Sequence, residues 1–181
     1  MNGSTGLAGF AVVVLLAVTS AGAHAQASTA HARQVFAATN QQLSQLQRVP
    51  FASRRPGVDY PAEGKAWFDG PTVKKIEVIE RDDSGDVVSE FYFDGTELVF
   101  MLVAVRGFAD AGSSGKQVTR LEERYYFRGG KMFKWLSGMG NDKSDTPPSS
   151  AEFADAARIN LAAADVFMKA AQQARSTRKL P

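Results

Sequence analysis

One pattern is written twice between residues 86 and 136, and it limits what the chain can fold into. Glu90-Phe91-Tyr92-Phe93-Asp94-Gly95-Thr96-Glu97-Leu98 recurs 34 positions later as Arg124-Tyr125-Tyr126-Phe127-Arg128-Gly129-Gly130-Lys131-Met132. Each copy holds an aromatic strand, a glycine turn and a second apolar strand. Aromatic and β-branched side chains suit a pleated surface, and glycine reaches the positive φ that a two-residue hairpin loop requires. The stretch therefore reads as two consecutive β-hairpins forming the core of the fold.

The flanking sequence supplies more strands and two helices. Thr72 to Arg81 and Asp86 to Phe93 read as strands joined by the turn Asp82-Asp83-Ser84-Gly85. Leu98 to Val105 is apolar without alternation, the mark of a strand buried on both faces, and so is expected at the centre of the sheet. Gly107 to Lys116 reads as a loop, and Lys65 to Asp69 as a short edge strand. Ala32, Val35, Phe36, Thr39, Leu43 and Leu46 recur at helical spacing, which predicts a helix from Ser28 to Val49 stopped by Pro50. Residues 50–64 read as an irregular connection, and Ser137 to Pro148 as a polar linker. Ser149 and Glu152 have capping-box spacing, which predicts a last helix over 149–175 with Phe153, Ala157, Leu161, Ala164, Phe167, Met168 and Ala171 on its apolar face. The fold class expected is α+β, an antiparallel meander of about five strands with an N-terminal and a C-terminal helix. Both helices are expected on one sheet face.

Residues 1–25 are set apart as a signal peptide. Leu7 to Val18 is an apolar segment too short to span a bilayer, and Ala23-His24-Ala25 places small residues at both cleavage-determining positions. Cleavage before Gln26 predicts a periplasmic or secreted product without a membrane span, with one domain over residues 26–181 and its hairpin core at 72–136. The alanine-rich signal resembles those of Gram-negative periplasmic proteins. A composition of 44% hydrophobic and 22% charged residues is that of a globular chain able to bury a core without cross-links, which fits the absence of cysteine. That absence also excludes thiol catalysis, cysteine-ligated zinc and lipidation of an N-terminal cysteine. Seven acidic and seven basic residues between Asp86 and Lys134 leave no basic face for nucleic acid. The basic C-terminus, with Lys169, Arg175, Arg178 and Lys179, complements a helix dipole.

The doubled Tyr/Phe-Tyr-Phe-x-Gly-x-x-Leu/Met unit resembles the hairpin repeats of small secreted bacterial proteins, and more distantly MORN-type and antitoxin-type hairpin repeats. MORN repeats run to more copies with further glycines. The resemblance implies stacked hairpins and carries over no residue role.

Catalytic groups are sparse. His24 leaves with the signal peptide, and His31 has no base or metal-ligand spacing around it, so it reads as a solvated helix residue. Gly112-Ser113-Ser114-Gly115-Lys116 lacks the outer glycine and the Ser or Thr of a phosphate loop. Asp82, Asp83 and Asp86 fit turn chemistry better than a calcium loop. Glu122 and Glu123 are adjacent on a strand and point to opposite faces, so they cannot converge on one substrate atom. Glu90 and Arg124 hold matching positions and are expected to pair across strands. No cofactor or metal ligand set is visible.

The aromatic residues carry most of the remaining information. With both helices on one face, Trp67, Tyr92 and Tyr126 are the candidate interaction surface on the other. Either residues 50–70 fold across that face, or it receives a protein partner, a small ligand or a second copy of the chain. The function expected is binding or interaction without catalytic machinery; the alternative is a hydrolase or lyase of the cell envelope using carboxylates and tyrosine.

Overall fold

The computed structural model describes residues 20–54, 61–82, 85–108, 117–139 and 142–178. A single antiparallel sheet of eight strands in sequence order lies between two helices. Helix α1 (Ser20–Gln42) leads into β1 (Gln47–Ser53), β2 (Ala62–Asp69), β3 (Thr72–Asp82), β4 (Gly85–Asp94), β5 (Glu97–Phe108), β6 (Gln117–Arg128), β7 (Lys131–Met139) and β8 (Asp142–Asp145), and the chain ends in α2 (Ala151–Arg178). The meander and its two helices agree with the sequence reading. The strand number does not.

Of the three additional strands, β1 and β8 come from segments read as something else, and β2 contains the segment read as a short edge strand. The first helix stops at Gln42, and Pro50 lies inside β1 instead of capping a helix. Proline is tolerated there because β1 is an edge strand, where a missing N–H breaks no central ladder. Lys65–Asp69 belongs to β2, which has β1 outside it. Part of the polar linker forms β8, a four-residue edge strand rich in charge. Short, charged or proline-bearing edges resist pairing with another chain.

The helices lie on opposite faces. Helix α2 packs against β1, β2, β3 and β7, while α1 lies over β4, β5 and β6. At about 1.5 Å per residue α2 reaches roughly 42 Å, enough to cross eight strands spaced about 4.8 Å apart. Its Phe167 is buried against Phe91 (ring centroids 5.8 Å apart) and Phe51 (6.5 Å), in a core that also takes Ile76, Met101, Tyr125 and Phe127. The smaller core beneath α1 holds Ala32, Tyr92, Val99, Phe100 and Tyr126. β5 is indeed apolar on both sides, with Met101 and Val103 facing α2 and Phe100 and Leu102 facing α1. It is the fifth strand of eight.

The hairpin unit occurs three times. Trp67-Phe68-Asp69-Gly70-Pro71-Thr72-Val73 matches Tyr92-Phe93-Asp94-Gly95-Thr96-Glu97-Leu98 and Tyr126-Phe127-Arg128-Gly129-Gly130-Lys131-Met132 in structure. The first turn glycine of each has positive φ, at 52°, 60° and 57°. Register shifts follow Trp67, Tyr92 and Tyr126, so one residue of each return strand is unpaired: Lys74, Val99 and Phe133. Such a bulge sharpens the local twist and re-aims the chain. In all three, the phenylalanine and the Val, Leu or Met enter the α2 core. Two neighbouring turns are tied together, since the Gly129 N–H donates to Glu97 Oε1.

Helix α2 starts one residue later than the capping box implies. Ser150 Oγ accepts from the Phe153 N–H at 3.1 Å, so Ser150 is the cap. At the other end Arg175 adds to its dipole role by lying 4.6 Å above the Phe68 ring.

Candidate functional site

Trp67, Tyr92 and Tyr126 share a sheet face, as the alternation predicts, but all three are buried, Tyr92 and Tyr126 in the core beneath α1 and Trp67 under the Lys75 ammonium. Phe36 of α1 packs at a tilt against Tyr92 at 4.9 Å and meets Phe100 edge-on at 5.6 Å. The expected open aromatic surface is therefore closed at Tyr92 and Tyr126 by α1, which lies on the face opposite to the one expected.

A polar cluster fastens the C-terminal half of α1. Lys75, only 5% exposed in its side chain, donates to Glu90 Oε1 at 2.9 Å and lies over the rings of Trp67 (5.5 Å) and Tyr92 (5.0 Å). Its ammonium also approaches Asn40 Oδ1 at 3.4 Å. The Tyr92 hydroxyl donates to Glu90 Oε2 at 2.6 Å and accepts from Asn40 Nδ2 at 3.1 Å, and the same amide donates to the Phe36 carbonyl at 3.0 Å. Buried charge persists when it is paired and hydrogen-bonded, and here the partners come from α1, β3 and β4 together.

These groups make a poor catalyst. Burial pushes the Tyr92 phenol well above its ordinary pKa, and its bond to the Glu90 carboxylate acts in the same direction. Tyr125 is displaced upward for the same two reasons, burial first and then its 2.7 Å bond to Glu123. A phenol held in its protonated form supplies no nucleophile near neutral pH. Glu122 and Glu123 serve opposite faces, as adjacent strand residues must: Glu122 holds Arg124 and Glu123 holds Tyr125. Glu90 and Arg124 do not pair, because β5 separates β4 from β6. His31 is half exposed and meets Asp94 Oδ2 at 3.2 Å, a partner that the sequence did not reveal. The serine–glycine loop and the centre of the aspartate turn lie outside the described residues, and among those described no three of His, Asp and Glu gather as metal ligands.

One concave feature of this face lies beside α1. Ala32, Arg33 and Phe36 form one wall of a groove of about 440 Å³, and Phe100, Leu102, Arg124, Tyr126 and Leu136 form its floor. The register explains the floor: Leu102, Arg124 and Leu136 are successive partners across β5, β6 and β7, and Phe100 and Tyr126 are paired alongside. Leu102 and Leu136 are half-buried, without full cover from the helix. The volume falls within the range of small-molecule sites, and an apolar lining with a few placed polar groups is their usual composition. Of the aromatic trio only Tyr126 lines it. Arg33, Leu102, Arg124 and Leu136 carry no motif, and the sequence signal available for them was the sheet register, which needed the position of α1 to become a cavity.

No protein-family model matches the chain, and no curated protein or solved structure matches it either.

Proposed function

We propose that the protein is a non-catalytic binding domain of the periplasm or the secreted fraction, whose ligand site is the groove between α1 and strands β5–β7. The observation that carries this reading is the pair of half-buried leucines, Leu102 and Leu136, that lie beside buried Phe100 and Tyr126 and are left partly uncovered next to α1. A small molecule suits a groove of about 440 Å³, and pairing of a second copy along the sheet edges is opposed by Pro50 in β1 and by the brevity and charge of β8.

Export is supported by the apolar segment from Leu7 and by Ala23-His24-Ala25. The cleavage point falls inside α1, and Thr29, Ala32 and Thr39, buried among the described side chains of that helix, come after it. Removal of residues 1–25 leaves the groove wall intact. Mass spectrometry of exported protein should find Gln26 as its first residue.

The groove is tested with the neutral fluorophore N-phenyl-1-naphthylamine. The purified protein should enhance its emission, and the space-filling variant Leu102→Phe with Leu136→Phe should abolish the enhancement while melting cooperatively. Undiminished emission from the filled variant would refute the site.

A further inference from the structure

Two arginines share the groove with its apolar floor, one from the helix and one from the sheet. Arg124 donates through Nε and Nη2 to the same oxygen of Glu122, at 2.9 and 2.8 Å. A guanidinium has five N–H donors in a fixed plane, so Glu122 orients the group and leaves three donors for something else. Arg33 projects from α1 and reaches the Thr29 hydroxyl at 3.4 Å, its one partner among the described side chains that neutralises nothing. Counting Arg33, Arg124 and Glu122, the groove carries one net positive charge. The acid next along the sheet, Glu90, is already engaged by Lys75 and Tyr92.

We infer that the groove binds a free single-chain monocarboxylate, its carboxylate between Arg33 and Arg124 and its hydrocarbon on Phe100, Leu102 and Leu136. This rests on the groove being a ligand site. At the roughly 30 Å³ that a water molecule occupies in the liquid, 440 Å³ accommodates about fifteen non-hydrogen atoms, the size of a medium-chain acid. The arrangement matches the ligand at both ends. Arginine meets a carboxylate in a planar two-point contact, and the half-buried leucines lose water when the chain covers them. A cationic amphiphile of equal length would gain the second term and oppose the first.

Displacement of N-phenyl-1-naphthylamine separates the two readings. Decanoate and decyltrimethylammonium, both below micelle-forming concentrations, are titrated against probe-loaded protein. Decanoate should displace the probe at concentrations about tenfold lower. In the double variant Arg33→Gln with Arg124→Gln, the preference should shrink to about threefold or less while the probe still binds. Equal displacement by the two amphiphiles, or an unchanged preference in the variant, overturns the carboxylate assignment and leaves the groove standing. Failure of the wild-type protein to bind the probe overturns the groove, and this inference with it.

Discussion

Replacing Lys75 by methionine removes the cation on which the α1 attachment converges. The lysine is 5% exposed and Glu90 is 21% exposed, so the variant strands a carboxylate that is mostly buried. Glu77 is directly opposite Glu90 on β3 and adds a second negative charge; its own partner, Lys65, is already engaged. Removing one member of a buried pair costs about 3–5 kcal/mol, and the residual exposure of Glu90 places this case near the lower end, about 3 kcal/mol. In a domain of this size each kcal/mol moves the melting temperature by about 2–4 °C, so the expected loss is about 6–12 °C. Adding Glu90→Leu removes the stranded charge, while the Tyr92 hydroxyl can turn to Asn40 Oδ1, 3.3 Å away. The double variant should recover to within about 1 kcal/mol of the parent, as apolar replacement of buried ion pairs usually does. Urea and thermal unfolding followed by circular dichroism read both. A single variant within about 1 kcal/mol of the parent, or a double variant less stable than the single, would refute the argument.

Two further predictions separate backbone strain from crowding, and burial from exposure. A Cβ added at Gly95 meets nothing within 4 Å, so Gly95→Ala should cost only the left-handed backbone penalty, about 1–2 kcal/mol, whereas at Gly64 the same atom falls 2.2 Å from the Phe51 ring, so Gly64→Ala must displace that ring from its place beside Phe167 and cost more. Equal chemical-denaturation losses for the two would contradict the packing described. Tyr92 and Tyr125 keep their protons in the folded state at pH values where the unfolded chain loses them, so the folded state binds more protons above about pH 10 and stability falls as pH rises from there. Absorbance at tyrosinate wavelengths should show these two ionising only on unfolding; ionisation of every tyrosine near pH 10 in the native protein would count against their burial.

The hairpin core was legible because its signals are local. Glycine at the turn and aromatics at alternating positions fix Phe91–Leu98 and Tyr125–Met132 whatever surrounds them. The third copy was hidden by its spacing, 25 residues before the second instead of 34, and by Lys74 and Lys75 in the return strand, where the others place Val99 and Phe100 or Phe133 and Lys134. β1 was hidden by Pro50, whose meaning as a helix stop or an edge-strand residue depends on what lies beside it. The side of the sheet that α1 occupies is a tertiary fact. Its alanines and its few apolar positions fit either face, and the decision falls to Tyr92, Lys75 and Asn40, which are 52 and 35 positions apart in the closest of their pairings with Asn40. The groove was hidden for the same reason, since its wall and floor come from elements far apart in the chain.

The most direct test of the groove is an amide-resolved NMR titration of the protein with N-phenyl-1-naphthylamine. Shifts concentrated at Ala32, Arg33, Phe36, Leu102, Arg124 and Leu136 are the result expected, with the α2 core around Phe167 unmoved. Shifts centred instead on Leu161, Ala164 and Met168, or none at saturating probe, would contradict the claim that the face beneath α1 holds the binding site.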